Sequence, residues 1–265
     1  MPLLRLTVAY DGTDFAGYAR QPGLRTVQAE LERAISRVYP TVGDLHVAGR
    51  TDAGVHATGQ VVSVQVDGGP PAERAGRAID TQLADDVAVV AAREVPAGFH
   101  ARHSARVRAY RYRILAARDR NLLTRRHAAH VSYRFDHALF GECIRLARGT
   151  HDFRAFTPSE TEHRTFTRTI LEARVLRVDQ ELHVELTADA FLRHQVRTIV
   201  GTALEVARGQ RDLAGYKRLL DGAPRSHGGK TAPPWGLTLV GVRYDGDPVG
   251  AEWCRPGAAP GTTRA

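Results

Sequence analysis

The sequence contains little lysine and little cysteine, and it has no long apolar segment. Lys217 and Lys230 are the only lysines among 37 lysine and arginine residues. The two cysteines, Cys143 and Cys254, lie far apart and lack the Cys-x-x-Cys spacing of zinc and redox sites. No run approaches the ~18 apolar residues that a membrane helix needs. These absences argue against a disulfide-rich, zinc-ribbon or membrane-spanning protein and indicate a reduced, intracellular one.

The first residues do not have the composition of a signal peptide, and the last residues have a composition typical of disorder. Arg5 interrupts the first apolar stretch, and Asp11 follows soon after, which is not the pattern of a secretory signal. We therefore expect a cytoplasmic protein. The last residues are mainly glycine, alanine, proline and threonine, and we predict a disordered tail over 249–265.

The charge of the chain is strongly positive. The formal net charge is +8 and the isoelectric point is about 10.0. Such a balance favours a polyanionic partner, and nucleic acid is the first candidate. The alternative is an arginine-rich, solvated surface with no specific partner, and charge alone leaves both readings open.

The apolar pattern changes period along the chain. Alternation predicts strands over 4–10, 45–48, 61–66, 87–92, 107–115, 170–178, 181–188 and 237–244. Helical spacing predicts helices over 27–38, 74–82, 137–147, 191–208 and 212–220. Mixed elements with hairpin-linked strands indicate an α+β fold with a largely antiparallel, mixed sheet backed by helices. The second part of the chain repeats the mixture of strands and helices seen in the first. We therefore predict two similar α/β halves, 1–105 and 106–248.

One short segment, AGRTDAGVHATGQ from Ala48 to Gln60, places a single carboxylate among small residues. Glycine permits tight turns and the close approach of another molecule, so Asp52 could project into a cleft. Arg50 and Thr51 are donors that could bind an anion. The alternative is a structural loop in which Asp52 accepts hydrogen bonds from nearby backbone N–H groups.

No motif for a bound metal or nucleotide is complete. The stretch Gly228-Gly229-Lys230-Thr231 lacks the first glycine of a phosphate-binding loop, has no preceding strand, and is followed by two prolines. His127 and His130 have no carboxylate at ligand spacing. We predict no metal, no nucleotide and no other cofactor.

The segment around Asp52, extended by one residue to AGRTDAGVHATGQV, closely resembles the signature of the tRNA pseudouridine synthase A family. Further blocks resemble the family in the same order, roughly from Leu4 to Asp245: LTVAYDGTDFAGYARQ, FHARHSARVRAYRYRI, GTHDFRAF, FLRHQVRTIVGTALEV and APPWGLTLVGVRYD. One departure is Tyr18-Ala19, where the family usually has Trp-Gln, and this change could affect RNA contacts.

The resemblance implies a site made by three residues in a cleft between the two halves. Asp52 falls on the family's catalytic aspartate and would act as nucleophile or base. Tyr110 would stack on the target uracil, although by itself a strand tyrosine is more simply read as core. Arg197 would orient Asp52, and otherwise could be a surface or phosphate-binding arginine. Leu239 would contact the base, and Arg20, Arg50, Arg102 and Arg168 are candidate RNA contacts.

The resemblance also implies an isomerisation that needs no cofactor. The N1–C1′ bond of a uridine breaks, the uracil turns, and C5 rejoins C1′. The family acts at positions thirty-eight to forty of the tRNA anticodon stem-loop and works as a homodimer. Two alternatives remain at this point: a non-catalytic tRNA-binding or RNA-folding protein, and the same chemistry on another RNA.

Overall fold

A computed structural model describes residues 1–160 and 164–247. The predicted disordered tail and Cys254 lie outside the described residues. The chain divides into two compact units, one made of Met1–Arg106 with the chain from Leu239 onward, the other of Val107–Thr238. The predicted halves placed the last strand in the second half, whereas this division groups most of it with the first unit.

The described residues contain eleven strands and five α-helices. The strands are β1 (Leu3–Tyr10), β2 (Thr41–Val42), β3 (His46–Val47), β4 (His56–Asp67), β5 (Val87–Val95), β6 (Ala105–Leu115), β7 (Ala129–His130), β8 (Gly149–Asp152), β9 (Thr167–Val178), β10 (Glu181–Ala188) and β11 (Leu237–Tyr244). The helices are α1 (Val27–Val38), α2 (Ala72–Asp80), α3 (His137–Leu146), α4 (Gln195–Ala207) and α5 (Leu213–Leu220).

In the first unit, the strand order is β5-β1-β4-β11. β1 pairs antiparallel with both β4 and β5, and the short strands β2 and β3 extend the pairing of β4. Alternation in β1 buries Leu4, Leu6 and Val8, and the apolar stripe of α1 buries Leu31 and Ile35. The sheet therefore has one face suited to packing against helices.

In the second unit, the order is β6-β10-β9-β8, with β7 parallel to β6. β10 is buried along its whole length, with an apolar set and a charged set on opposite faces. On the charged face, Glu185 accepts hydrogen bonds from Arg111 at 2.8 Å and from Arg174 at 2.8 Å. These cross-strand ion pairs satisfy charges that would otherwise be costly to bury.

The α+β class with a mixed sheet backed by helices is confirmed. β10 and β11 have the predicted bounds, and α1 begins after Thr26, whose side chain caps the helix at Ala29. In this structure none of the described helices has both the length and the apolar character of a bilayer span.

The predicted helix over 191–208 was wrong at its start, because α4 begins at Gln195. His194 has a left-handed backbone with φ of 62°, which ends any helical continuation toward residue 191. The buried Gln195 side chain accepts a hydrogen bond from the Leu192 amide at 2.7 Å, so it stabilises the non-helical approach. Arg197 consequently lies in the first turn of the helix.

Candidate active site

Asp52 lies in the loop between β3 and β4, here called the Asp52 loop (residues 48–55). The loop makes a turn in which the Val55 amide donates to the Asp52 carbonyl at 3.1 Å. Gly54 occupies the left-handed region with φ of 76°, which a residue with a side chain rarely adopts. The Asp52 side chain is half-buried. The loop therefore presents one carboxylate from a defined turn.

Buried hydrogen bonds from the sheet fix the residues just before Asp52. The Tyr10 hydroxyl lies 2.8 Å from Thr51 Oγ1. Gln60 Nε2 donates to the Gly49 carbonyl at 2.8 Å and to the Tyr10 oxygen at 3.2 Å. Its Oε1 accepts from the Val61 amide at 3.1 Å. Since Tyr10 and Gln60 belong to β1 and β4, the loop is tied to two paired strands at the point where their register shifts.

The segment after β1 also contacts the Asp52 loop. The Tyr18 amide donates to the Thr51 carbonyl at 3.0 Å, and the Gly12 amide donates to His56 Nδ1 at 3.0 Å. Gly17 has φ of 101°, and a Cβ there would lie 3.1 Å from the Thr51 oxygen. The glycines of this segment thus permit a backbone-to-backbone approach that larger residues would prevent.

Two buried tyrosines near the Asp52 loop have raised pKa values. Burial raises the pKa of Tyr10 to about 12, against the opposing effect of its hydrogen bonds with Thr51 and Gln60. Tyr18, at 1% exposure, also has a pKa raised by burial, with further increases from Tyr10 and Glu32. The ring of Tyr18 is therefore a packing element behind the loop, and the expected effect of this residue on RNA contacts can only be indirect.

Three of the arginines predicted to contact RNA lie in the first unit, and all three are exposed. Arg20 pairs with Glu32 of α1. Arg50 lies two residues before Asp52, in the Asp52 loop itself. Arg102 lies in the segment between β5 and β6. None of these positions tests the predicted RNA contacts, which stay predictions.

Arg102 lies beside a stack of three imidazoles. The ring of His100 lies 4.3 Å from that of His46 and 4.3 Å from that of His103, between ring centroids. Nδ1 of His100 accepts from the amides of Arg102 and His103 at 3.1 and 3.3 Å. Burial lowers the pKa of His100, and the neighbouring His46 and His103 lower it further. Nδ1 of His100 is therefore an acceptor that holds the backbone at Arg102 and His103.

Tyr110 and Tyr112 lie on the same face of β6 but differ in burial. Tyr112 is fully buried, and its hydroxyl donates to the Pro233 carbonyl at 2.9 Å. Tyr110 is half-buried, and its ring meets Phe191 edge-to-face with centroids 5.1 Å apart. Tyr112 is thus a core residue, which is the simpler interpretation of a tyrosine in a strand. Tyr110 instead retains accessible surface on which a base could stack.

Arg197 is positioned by the segment that precedes β11. Its Nε donates to the Ala232 carbonyl at 2.9 Å, and the Ala232 amide donates back to the Arg197 carbonyl at 3.0 Å. The segment runs so close to α4 that a Cβ on Gly201 would lie 1.9 Å from the Lys230 oxygen. This is the stretch that resembles part of a phosphate-binding loop, and here it packs against a helix.

The two remaining predicted residues are less accessible. Arg168 Nη1 donates to the Thr167 carbonyl at 2.6 Å and to the Thr165 carbonyl at 3.2 Å. Burial lowers the pKa of Arg168, and Asp189 opposes this change. Leu239 is fully buried in β11. A contact of Leu239 with a substrate base stays a prediction.

The structure assigns the three predicted catalytic residues to different units. Asp52 belongs to the first unit, and Tyr110 and Arg197 belong to the second. Sequence reasoning did not assign roles to Tyr10, Gln60 or Phe191. Each of these residues lies inside a segment that resembles the family. That resemblance is the only feature of the sequence that could have pointed to them.

Fold and loop together define an α+β protein that presents one carboxylate from a backbone-fixed loop. Comparison with known proteins shows which family of α+β proteins this is. A family model described as tRNA pseudouridine synthase matches residues 6–104 and 144–245. This chain belongs to the tRNA pseudouridine synthase family.

Individual relatives match along most of the chain. The tRNA pseudouridine synthase A of Anoxybacillus flavithermus is 44% identical over 92% of this chain and 100% of the relative. The protein of the same name from Methylobacterium sp. (strain 4-46) is 42% identical over 92% of this chain and 98% of its own. A solved Cbf5-Nop10-Gar1 complex matches with a TM-score of 0.36 and 13% identity, covering 76% of this chain and 45% of that one. The last similarity is too low to carry an argument.

Proposed function

We propose that this chain isomerises uridine to pseudouridine in tRNA, at positions thirty-eight to forty of the anticodon stem-loop. The observation that carries the proposal is the Asp52 loop, in which a family-matched carboxylate is presented by a turn fixed to two strands. Relatives named tRNA pseudouridine synthase A support the same activity. The anticodon positions come from the family resemblance of the sequence.

The proposed reaction balances without a co-reactant. The N1–C1′ bond breaks, the uracil rotates, and a C5–C1′ bond forms. The hydrogen on C5 leaves as a proton, and N1 gains a proton, so substrate and product are isomers. Because the target base must leave its stack, the enzyme also has to bind an extruded nucleotide.

The proposed roles of the side chains follow their chemistry. Asp52 acts as nucleophile or base. The accessible ring of Tyr110 stacks on the extruded uracil. Phe191 supports the Tyr110 ring through their edge-to-face contact. Arg197 orients the Asp52 carboxylate through a charge-assisted hydrogen bond. Exposed arginines, Arg50 and Arg102 first, contact phosphates.

The decisive experiment uses tRNA labelled with tritium at uracil C5, since rejoining at C5 releases the label to water. We expect release by the wild type and none by Asp52→Asn that still binds tRNA. Asp44→Asn is the matched control, because it removes an exposed carboxylate from the same unit, and it should release label normally.

Other outcomes separate the alternatives. Binding of tRNA by the wild type without release would favour a non-catalytic RNA-binding protein. Release from another RNA but not from tRNA would indicate the same chemistry on a different substrate. Equal release by wild type and Asp52→Asn would exclude Asp52 as the catalytic group.

We also propose that the protein works as a cytoplasmic homodimer. The family resemblance supports the dimer, and the tRNA substrate and the low cysteine content support the compartment. Light scattering coupled to gel filtration measures the mass directly. A mass near the 29.0 kDa of one chain at enzyme concentrations that support turnover would contradict the dimer.

A further inference from the structure

Tyr10 lies at the end of β1, below the Asp52 loop, and it is buried. Its ring is inaccessible to a substrate, so any effect on the reaction must pass through its neighbours. Its hydroxyl contacts Thr51 Oγ1 at 2.8 Å, and Thr51 precedes Asp52 directly. The hydroxyl is thus one residue away from the proposed catalytic group.

Gln60 completes the network by using both amide hydrogens. One goes to the Tyr10 oxygen and the other to the Gly49 carbonyl, while Oε1 accepts from Val61. Because both N–H donors of the Gln60 amide are used, its position fixes the Gly49 carbonyl and the Tyr10 hydroxyl together. Gly49 and Thr51, on either side of Arg50, are therefore tied to β1 and β4.

We propose that Tyr10 is a positioning residue, which through Thr51 and together with Gln60 sets the place of the Asp52 carboxylate. The inference rests on the proposed function, since it assigns a role in that reaction. Catalysis depends on reacting atoms held in a near-attack geometry, and displacements of about 1 Å can cost ~100-fold in rate. The Tyr10 hydroxyl contributes that geometry without touching the substrate.

The first test is Tyr10→Phe, which keeps the buried ring and removes only the hydroxyl. We expect kcat to fall about tenfold or more while KM for tRNA stays within about twofold, because Arg50 is the only proposed phosphate contact within the Asp52 loop and the others lie outside it. The matched control is Tyr39→Phe, which removes the hydrogen bond from the buried Tyr39 to the Pro70 carbonyl at 2.8 Å. An equal loss of kcat in Tyr39→Phe, or normal kcat in Tyr10→Phe, overturns the proposal.

Substitutions at Thr51 test whether the effect passes through one hydrogen bond. Thr51→Ser keeps the hydroxyl and should retain near-normal kcat, whereas Thr51→Val should match Tyr10→Phe. The double variant Tyr10→Phe/Thr51→Val should lose no more than either single variant, because both remove the same contact. Multiplied losses in the double variant would show two independent effects and contradict the proposal.

Amide hydrogen exchange separates this inference from the proposed function. In Tyr10→Phe, the amides of residues 49–55 should exchange faster, while those of β1 and β4 keep their protection. Unchanged exchange over 49–55 overturns the positioning role whatever the activity. If the wild type releases no tritium, the proposed function fails, and the exchange result alone decides whether Tyr10 orders the loop.

Discussion

Tyr18 belongs to the pair Tyr18-Ala19, the departure found in the first block of the family resemblance, and its hydroxyl is buried. The side chain is 1% exposed, and its oxygen has no hydrogen-bond partner among the described residues. A buried hydroxyl without a partner costs free energy, since folding removes its bonds to water. The aromatic ring itself packs near Tyr10, with centroids 6.5 Å apart.

We therefore predict that Tyr18→Phe raises the free energy of unfolding by about 1 kcal/mol, because it removes an unsatisfied group and keeps the ring. Chemical denaturation measures the change. Tyr39→Phe is the control, since its hydroxyl is bonded to the Pro70 carbonyl and its removal should lower stability by a similar amount. A loss of stability in Tyr18→Phe would mean that the hydroxyl has a stabilising partner.

At the residue scale, the sequence could single out Asp52 as a candidate but could not show the contacts that fix its loop. A lone carboxylate among small residues is visible in one segment. The family resemblance favoured a catalytic role for it over a purely structural loop. Tyr10 and Gln60 meet across 50 residues of chain, and Tyr10 and Thr51 across 41. The antiparallel pairing of β1 with β4 brings these segments together, and the pattern within one segment does not show which strand it will pair with.

Elements were predictable where a single period dominated. β1, α1, β10 and β11 have clear alternation or helical spacing, and their bounds lie within one residue of the prediction. Four of the described strands have only two to four residues; β3 was predicted over 45–48, whereas β2, β7 and β8 were missed because they are too short to show a period. The start of α4 was missed because apolar Phe191 and Leu192 continue its pattern, whereas the backbone at His194 is left-handed.

The close contact between α4 and the segment around Lys230 leads to a prediction at this scale. A Cβ on Gly201 would overlap the Lys230 carbonyl at 1.9 Å, so Gly201→Ala must displace backbone. We expect a loss of about 2 kcal/mol or more in the free energy of unfolding. Turnover should fall further than stability explains, because Ala232, bonded twice to Arg197, belongs to the displaced segment.

The control for this variant is Gly141→Ala on α3 of the same unit. No atom lies within 4 Å of a Cβ added there, so only helix propensity changes. This substitution should raise stability by up to about 1 kcal/mol and leave turnover unchanged. Equal behaviour of the two alanine variants in thermal unfolding would refute the packing argument.

For the molecule as a whole, the sequence left two explanations of the positive charge: a nucleic-acid partner, or an arginine-rich surface without a specific partner. Family membership favours an RNA partner. Net charge says nothing about which arginines contact phosphates. Accessibility ranks them: Arg50 and Arg102 are exposed, whereas Arg168 Nη1 is bonded to backbone carbonyls. The ranking can be tested through salt, because each phosphate contact releases counterions.

We expect tRNA affinity to fall steeply as salt rises from about 50 to 200 mM, with a linear dependence of log Kd on log salt concentration. The double variant Arg50→Gln/Arg102→Gln should reduce the slope by about 2, one for each lost contact. Arg37→Gln/Arg77→Gln removes the same charge from exposed positions on α1 and α2 of the same unit, and its slope should stay near that of the wild type. If both double variants flatten the slope equally, binding depends on net charge alone and the assignment of Arg50 and Arg102 to phosphates is wrong.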